Sequence, residues 1–124
     1  MVRGFSSVVM QLISSMTSFF DSERIPAYTA SKAGIAQLTK ALSNEWARSG
    51  VNVNAIAPGY MATKLTQDIK EKNPKQYQEI TSRIPAGRWG TGDDLKGLAV
   101  FLASDASAYI SGAVIPVDGG YLGK

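Results

Sequence analysis

Tyr28 and Lys32 stand four residues apart, and a serine, Ser15, lies thirteen residues before the tyrosine. On a helix, two residues at that spacing share one face, one turn apart. An ammonium beside a phenol favours the phenolate and lowers the phenol's pKa from about 10. A tyrosine tuned in this way can give or take a proton near neutral pH. Ser15 is too far upstream to share that helix. A preceding strand or loop must fold it back, and its hydroxyl could then hold a substrate oxygen. The chain contains no histidine and no cysteine. Acid–base work therefore falls to Tyr, Lys or a carboxylate, thiolate chemistry and disulfides are excluded, and a zinc site loses its usual ligand.

The elements that must position these groups can be read from patterning. Val8 to Ile13 (VVMQLI) is continuously apolar apart from Gln11, as suits a strand buried on both faces of a parallel sheet. Residues 14–26 read as a loop carrying Phe19 and Phe20. A long helix is expected from Tyr28 to Arg48, with Ile35, Leu38, Leu42 and Trp46 as its apolar stripe and Gly50 as its stop. Ala30, Ala33, Gly34, Ala36 and Ala41 give it small faces that another element could approach. Residues 51–57 (VNVNAIA) form a second strand, so strand, helix and strand make a right-handed crossover. Pro58-Gly59 ends that strand, and the following loop lies at its carboxyl end.

Residues 64–82 are polar, with Pro74 dividing two short helical stretches. They read either as a solvent-exposed excursion or as a mobile lid. Residues 84–90 form a turn-rich linker. Thr91-Gly92-Asp93-Asp94 looks like a helix start, followed by an apolar face of Leu95, Leu98, Ala99, Leu102 and Ala103. Residues 113–117 are a third strand, ended by Asp118-Gly119-Gly120. The β-α-β-α-β order places the chain in the α/β class. In open α/β sheets ligands sit at the carboxyl ends of strands. Ser15 and the loop after Pro58 both stand at such ends, and Tyr28 and Lys32 return to the same crevice. Asn52 and Asn54 read equally as strand-edge polar groups or site supports. Trp46 and Trp89 read as core or interface rather than substrate platforms.

Composition bounds the partners. With 124 residues there is room for one small domain, and 44% apolar content is ordinary for a folded chain. The net charge of +3 is spread without a basic run, so no nucleic-acid partner is indicated. No apolar run approaches the roughly 18 residues that span a bilayer, so no membrane segment is expected. Arg3 followed by an apolar stretch is superficially like a signal peptide. Gln11 interrupts that stretch and no small-residue cleavage site follows, so a buried strand fits better and a cytoplasmic location is expected.

Further pieces accompany Tyr-x-x-x-Lys in order: NVNAIAPG at residues 52–59, then Thr63, then IPAGRWG at 84–90, then VDGG at 117–120. With Ser15 these resemble the short-chain dehydrogenase/reductase family over nearly the whole chain. The stretches PAYTASK, NEWA, NVNAIAPGYMAT and RIPAGRWG are most similar to its sugar-acid dehydrogenases. The resemblance implies an oxidoreductase moving hydride between NAD or NADP, with NAD favoured, and a secondary alcohol or ketone of a small sugar acid. Tyr28 would be the general acid/base, Lys32 would lower its pKa and hydrogen-bond the nicotinamide ribose, and Ser15 would orient the substrate oxygen. Pro58, Gly59 and Met61 would line the nicotinamide pocket, and Thr63 would offer its hydroxyl to the carboxamide or a phosphate. No metal is implied, and a homo-oligomer is expected.

The family's domain is about twice this length. Its first half carries a glycine-rich turn that cradles the cofactor pyrophosphate and a catalytic asparagine. Neither has a counterpart here, and Gly4 belongs to no such turn. The expected fold is the C-terminal half of a Rossmann-like, doubly wound parallel sheet: its last three strands with their helices, the lid at about 64–83 within it. VVMQLI would then be an exposed apolar edge. Dinucleotide binding by this chain alone is expected to be weak or absent. A non-catalytic fragment or interaction module is the alternative reading.

Overall fold

A computed structural model of the chain describes residues 8–16 and 26–123; Arg3, Gly4, Phe19 and Phe20 lie outside them. Three parallel strands form one sheet in the order β1 (Val8–Ile13), β2 (Val51–Pro58), β3 (Val114–Val117). Val8 pairs with Val51 and Ile13 with Ile56 across the first interface. Ala55 pairs with Val114 and Pro58 with Val117 across the second. The central strand is covered on both faces, and every residue from Val53 to Ala57 is buried. β1 has the same apolar character but, among the described residues, a neighbour on one side only. Val8 stays 54% exposed and Ile13 51%, so the exposed apolar edge expected from VVMQLI is present.

The long helix α1 (Pro26–Trp46) starts two residues before Tyr28. Proline suits a first helical position, where its missing N–H would have no intrahelical partner anyway. Beyond a short 3₁₀ turn (Ala47–Ser49) the helix stops at Gly50, whose φ of 79° is left-handed. Its buried face differs from the expected stripe. Ala36, Thr39 and Ser43 are buried, while Leu38 is 48% exposed and Ile35, Leu42 and Trp46 are only partly covered. Small side chains let the helix lie close to β2. The two polar ones satisfy themselves: Thr39 Oγ1 donates to the Ile35 carbonyl (2.8 Å), and Ser43 Oγ and Ser111 Oγ share a hydrogen bond at 2.7 Å. A hydroxyl bonded in this way can be buried at little cost.

The polar stretch folds as α2 (Lys64–Lys72) and α3 (Pro74–Ser82), divided at Pro74 as the sequence implies. Asn73 joins them, its side chain accepting from the Gln76 amide at 3.2 Å. α4 (Gly92–Ala103) starts after Thr91, which forms a reciprocal cap with Asp94. Gln11 Nε2 donates to the Ala99 carbonyl of α4 (2.9 Å), and Ser14 Oγ donates to the Lys32 carbonyl of α1 (3.0 Å). Those two positions are an odd number apart in extended chain and leave opposite faces, so α1 and α4 flank the sheet from its two sides.

The asparagines of β2 bond to the segment before β3 rather than to any candidate site residue. Asn54 is fully buried; its Nδ2 donates to the Ile110 carbonyl and its Oδ1 accepts from the Ala113 amide, both at 3.0 Å. Asn52 Nδ2 donates to the Ala108 carbonyl at 3.0 Å. Together they fasten the segment that leads into β3. No helix among the described residues is long and apolar enough to cross a membrane.

Candidate active site

β1 ends at a buried serine pair. The Ser14 amide extends the ladder to the Ile56 carbonyl at 2.8 Å, and Ser14 and Ser15 are 2% and 7% exposed. Lys32, one turn into α1 from Tyr28, is stitched to this strand end in both directions. Its carbonyl accepts from Ser14 Oγ, and its Nζ donates to the Ile13 carbonyl at 3.4 Å. The same Nζ stands 5.7 Å from the centre of the Tyr28 ring, within cation–π reach. Tyr28 itself is 45% exposed, on the first turn of the helix. Thus Tyr28, Lys32 and the carboxyl end of β1 come together, with Ser15 as the next residue along that end. Ser14 was not singled out from the sequence. Its signal was its place at the last step of the apolar run, where a hydroxyl can reach the helix that returns.

The loop after β2 is held at close quarters. The Gly59 amide donates to the Val117 carbonyl at 2.9 Å. A Cβ on Gly59 would fall 2.7 Å from Asp118 Cα and Cβ, and 3.4 Å from Met16 Sδ. Gly59→Ala is therefore expected to cost about 1–3 kcal/mol through forced backbone movement. Denaturant unfolding checks this, and an unchanged midpoint would mean that the loop yields freely.

Two residues on, Met61 forms an isolated parallel bridge with Gly90. The Ala62 amide donates to the Gly90 carbonyl (2.7 Å) and the Gly90 amide to the Tyr60 carbonyl (2.9 Å). In extended chain this turns Met61's own N–H and C=O away from Gly90. Thr66 Oγ1 donates to that Met61 carbonyl at 3.0 Å. Thr63 caps α2, its Oγ1 accepting from the Thr66 amide (3.3 Å) while Thr66 Oγ1 accepts from the Thr63 amide (2.6 Å). Thr66 also went unnoticed in the sequence, since threonine here takes the place of the usual Glu or Gln of a capping box.

Trp89 is buried, as a core residue would be, and packs beneath α3. Its ring stacks on Tyr77 (4.8 Å between centres, 8° between planes) and meets Tyr60 at 5.2 Å. Its Nε1 donates to Thr81 Oγ1 at 2.8 Å. Tyr60 in turn packs edge-on against Tyr121. Burial first, and Tyr121 second, push the Tyr60 phenol above its ordinary pKa, so it stays protonated at neutral pH. Next to Trp89, Arg88 forks onto Asp94 with two bonds of 2.9 Å, and the Thr91 amide donates to the same carboxylate at 2.8 Å. The Arg88 hydrogen bond, above all, holds the Asp94 carboxyl well below the usual carboxylate range. A cleft of about 200 Å³ runs between Met61, Tyr60, Arg88, Asp94 and Asp118. It borders the Met61 loop but has neither Ser15, Tyr28 nor Lys32 in its wall. No group of three His, Cys, Asp or Glu side chains among the described residues could hold a metal.

A family profile described as Enoyl-(Acyl carrier protein) reductase matches residues 1–122. The 2-dehydro-3-deoxy-D-gluconate 5-dehydrogenase of Bacillus subtilis (strain 168) is 51% identical over 122 residues, which is 98% of this chain and 47% of that protein. Among solved structures, a proposed 2-deoxy-D-gluconate 3-dehydrogenase from Agrobacterium tumefaciens with bound NADP superposes with a TM-score of 0.90 at 49% identity, over 95% of this chain and 48% of that one. A gluconate 5-dehydrogenase from Burkholderia cenocepacia, in complex with NADP and tartrate, gives 0.88 at 36% identity, over 96% and 46%. The chain thus spans about half the length of the curated relatives it matches.

Proposed function

The chain belongs to the short-chain dehydrogenase/reductase family, and on that premise we propose that it carries the proton-handling, nicotinamide-facing half of an NAD(P)-dependent oxidoreductase acting on a sugar acid. The observation that carries this reading is the placement of Lys32. Its ammonium is held at the end of β1 by the Ile13 carbonyl and stands over the Tyr28 ring.

Each residue then has a role. Tyr28, at the exposed start of α1, exchanges a proton with the substrate oxygen. Lys32 sets a positive charge beside that phenol and reaches the nicotinamide ribose. Ser15 orients the same substrate oxygen from the strand end. Gly59 and Pro58 set the entry to the loop, Met61 presents its backbone N–H to the carboxamide, and Thr63 adds its hydroxyl. The orientation of Met61, turned away from Gly90, suits that contact. Bound there, the nicotinamide ring would take up or supply the hydride. When an alcohol is oxidised, the carbinol hydrogen leaves as hydride and the hydroxyl proton passes to Tyr28; reduction runs in reverse.

The substrate class rests on the relatives, whose names share a gluconate skeleton. Either NAD or NADP is the cofactor; among solved relatives three hold NADP and one holds NAD. Assembly of like copies belongs to the same reading. A second reading, an interaction module without catalysis, draws on the uncovered edge of β1. To separate them, the chain is combined with the remaining half of the Bacillus subtilis relative and supplied with 2-dehydro-3-deoxy-D-gluconate and NAD+ or NADP+. Substrate-dependent gain of reduced-nicotinamide absorbance is expected. Absence of turnover with both cofactors across a panel of sugar acids would leave only the module.

A further inference from the structure

We propose that Trp89 is a positioning residue that couples α2 and α3 to the Met61 loop, so that the two shift together. The bearing of this on catalysis rests on the role given to Met61 above; the coupling itself does not.

Neither α2 nor α3 contains a fully buried residue. Helices so thinly packed are held by a few specific contacts. At the start of α2, Thr66 Oγ1 bonds the Met61 carbonyl. At the end of α3, Tyr77 stacks on Trp89 and Thr81 accepts from its indole N–H. Trp89 also touches Tyr60, and its neighbour Gly90 bridges the strand segment from Tyr60 to Ala62. The contacts therefore close a ring, from Met61 through Thr66, α2, α3 and Trp89 back to Gly90 and Met61. Trp89, in the 84–90 turn, touches both α3 and the loop. That turn is not itself loose, because the Arg88 fork onto Asp94 ties it to the first turn of α4. Displacing α3 removes a face from Trp89 and weakens the Gly90 bridge that aligns Met61.

Amide hydrogen exchange on the 124-residue chain tests this without cofactor or substrate. The reporters are the Ala62 and Gly90 amides of the bridge, with the Ala55 amide, bonded to the Ala113 carbonyl at 2.8 Å, as the core reference. Tyr77→Ala removes the stacking partner from the far side of Trp89. It is expected to speed exchange at Ala62 and Gly90 roughly threefold to tenfold, the range set by one lost aromatic pair, while Ala55 is unchanged. In a Trp89→Ala background the same substitution should add nothing at the reporters. Trp89→Phe keeps a six-membered ring against Tyr77 but gives up the second ring and the indole N–H bonded to Thr81, so its acceleration at Ala62 and Gly90 should fall below that of Trp89→Ala. Unchanged reporters in Tyr77→Ala would overturn the coupling. So would equal acceleration at Ala55, or unprotected reporters in the unsubstituted chain. None of these outcomes bears on whether the combined enzyme turns over, and a failed turnover assay leaves the exchange result standing.

Discussion

Tyr28→Phe is expected to lower hydride-transfer turnover by about 10²–10⁴-fold, the usual worth of a positioned general acid–base group. The structure makes this a clean substitution. Tyr28 is 45% exposed, so losing its hydroxyl opens no cavity and strands no buried partner. The Lys32 ammonium lies 5.7 Å from the ring centre, and its attraction to an aromatic face survives in phenylalanine. Folding should therefore change by less than about 0.5 kcal/mol, the usual range for an exposed site. Turnover in the combined preparation and the unfolding midpoint are the two measurements. Unchanged turnover would remove Tyr28 from the proposed role. Lost turnover together with a lowered midpoint would point to packing instead.

Asn54→Ala is expected to cost about 2–4 kcal/mol of folding stability, because it empties a fully buried side-chain site and leaves two partly buried backbone groups without their partners. Asn54 is completely buried in the central strand, where it donates to Ile110 and accepts from Ala113. Those bonds join β2 to the segment that enters β3. A domain of this size commonly has only about 5–15 kcal/mol in hand, so the loss is a large share. Denaturant unfolding measures the cost. A loss below about 1 kcal/mol would mean that water takes over both bonds.

Much of this was legible in the chain because the causes are local. Asn73-Pro74 divides α2 from α3, since proline opens a helix and asparagine caps one. Thr91 and Asp94 start α4 through bonds made three residues apart. Gly50 ends the helical run because it can take a positive φ. The spacing of Tyr28 and Lys32 put them on one helical face, where the structure has them. The apolar run of β1 marked a strand that wants cover on both sides, and the alternation of strands and helices marked a parallel α/β sheet.

Burial was decided elsewhere. On α1 the apolar period pointed to Leu38, yet the face against β2 belongs to Ala36, Thr39 and Ser43. Periodicity shows which residues share a face, but not which face finds a neighbour close enough to need small side chains. Asn54 gave no sign of whether it lay at an edge or in the core. Its two partners are more than fifty residues away in sequence. Ser14 with Lys32, and Trp89 with Tyr60 and Tyr77, are closer in sequence, yet still too far apart for local patterning to pair them. By itself, the sequence determined the elements, their caps and the types of residue that could handle a proton, all set by interactions within a few residues. Only the tertiary structure decided which hydroxyls, amides and rings meet, because those contacts exist only once distant segments have packed.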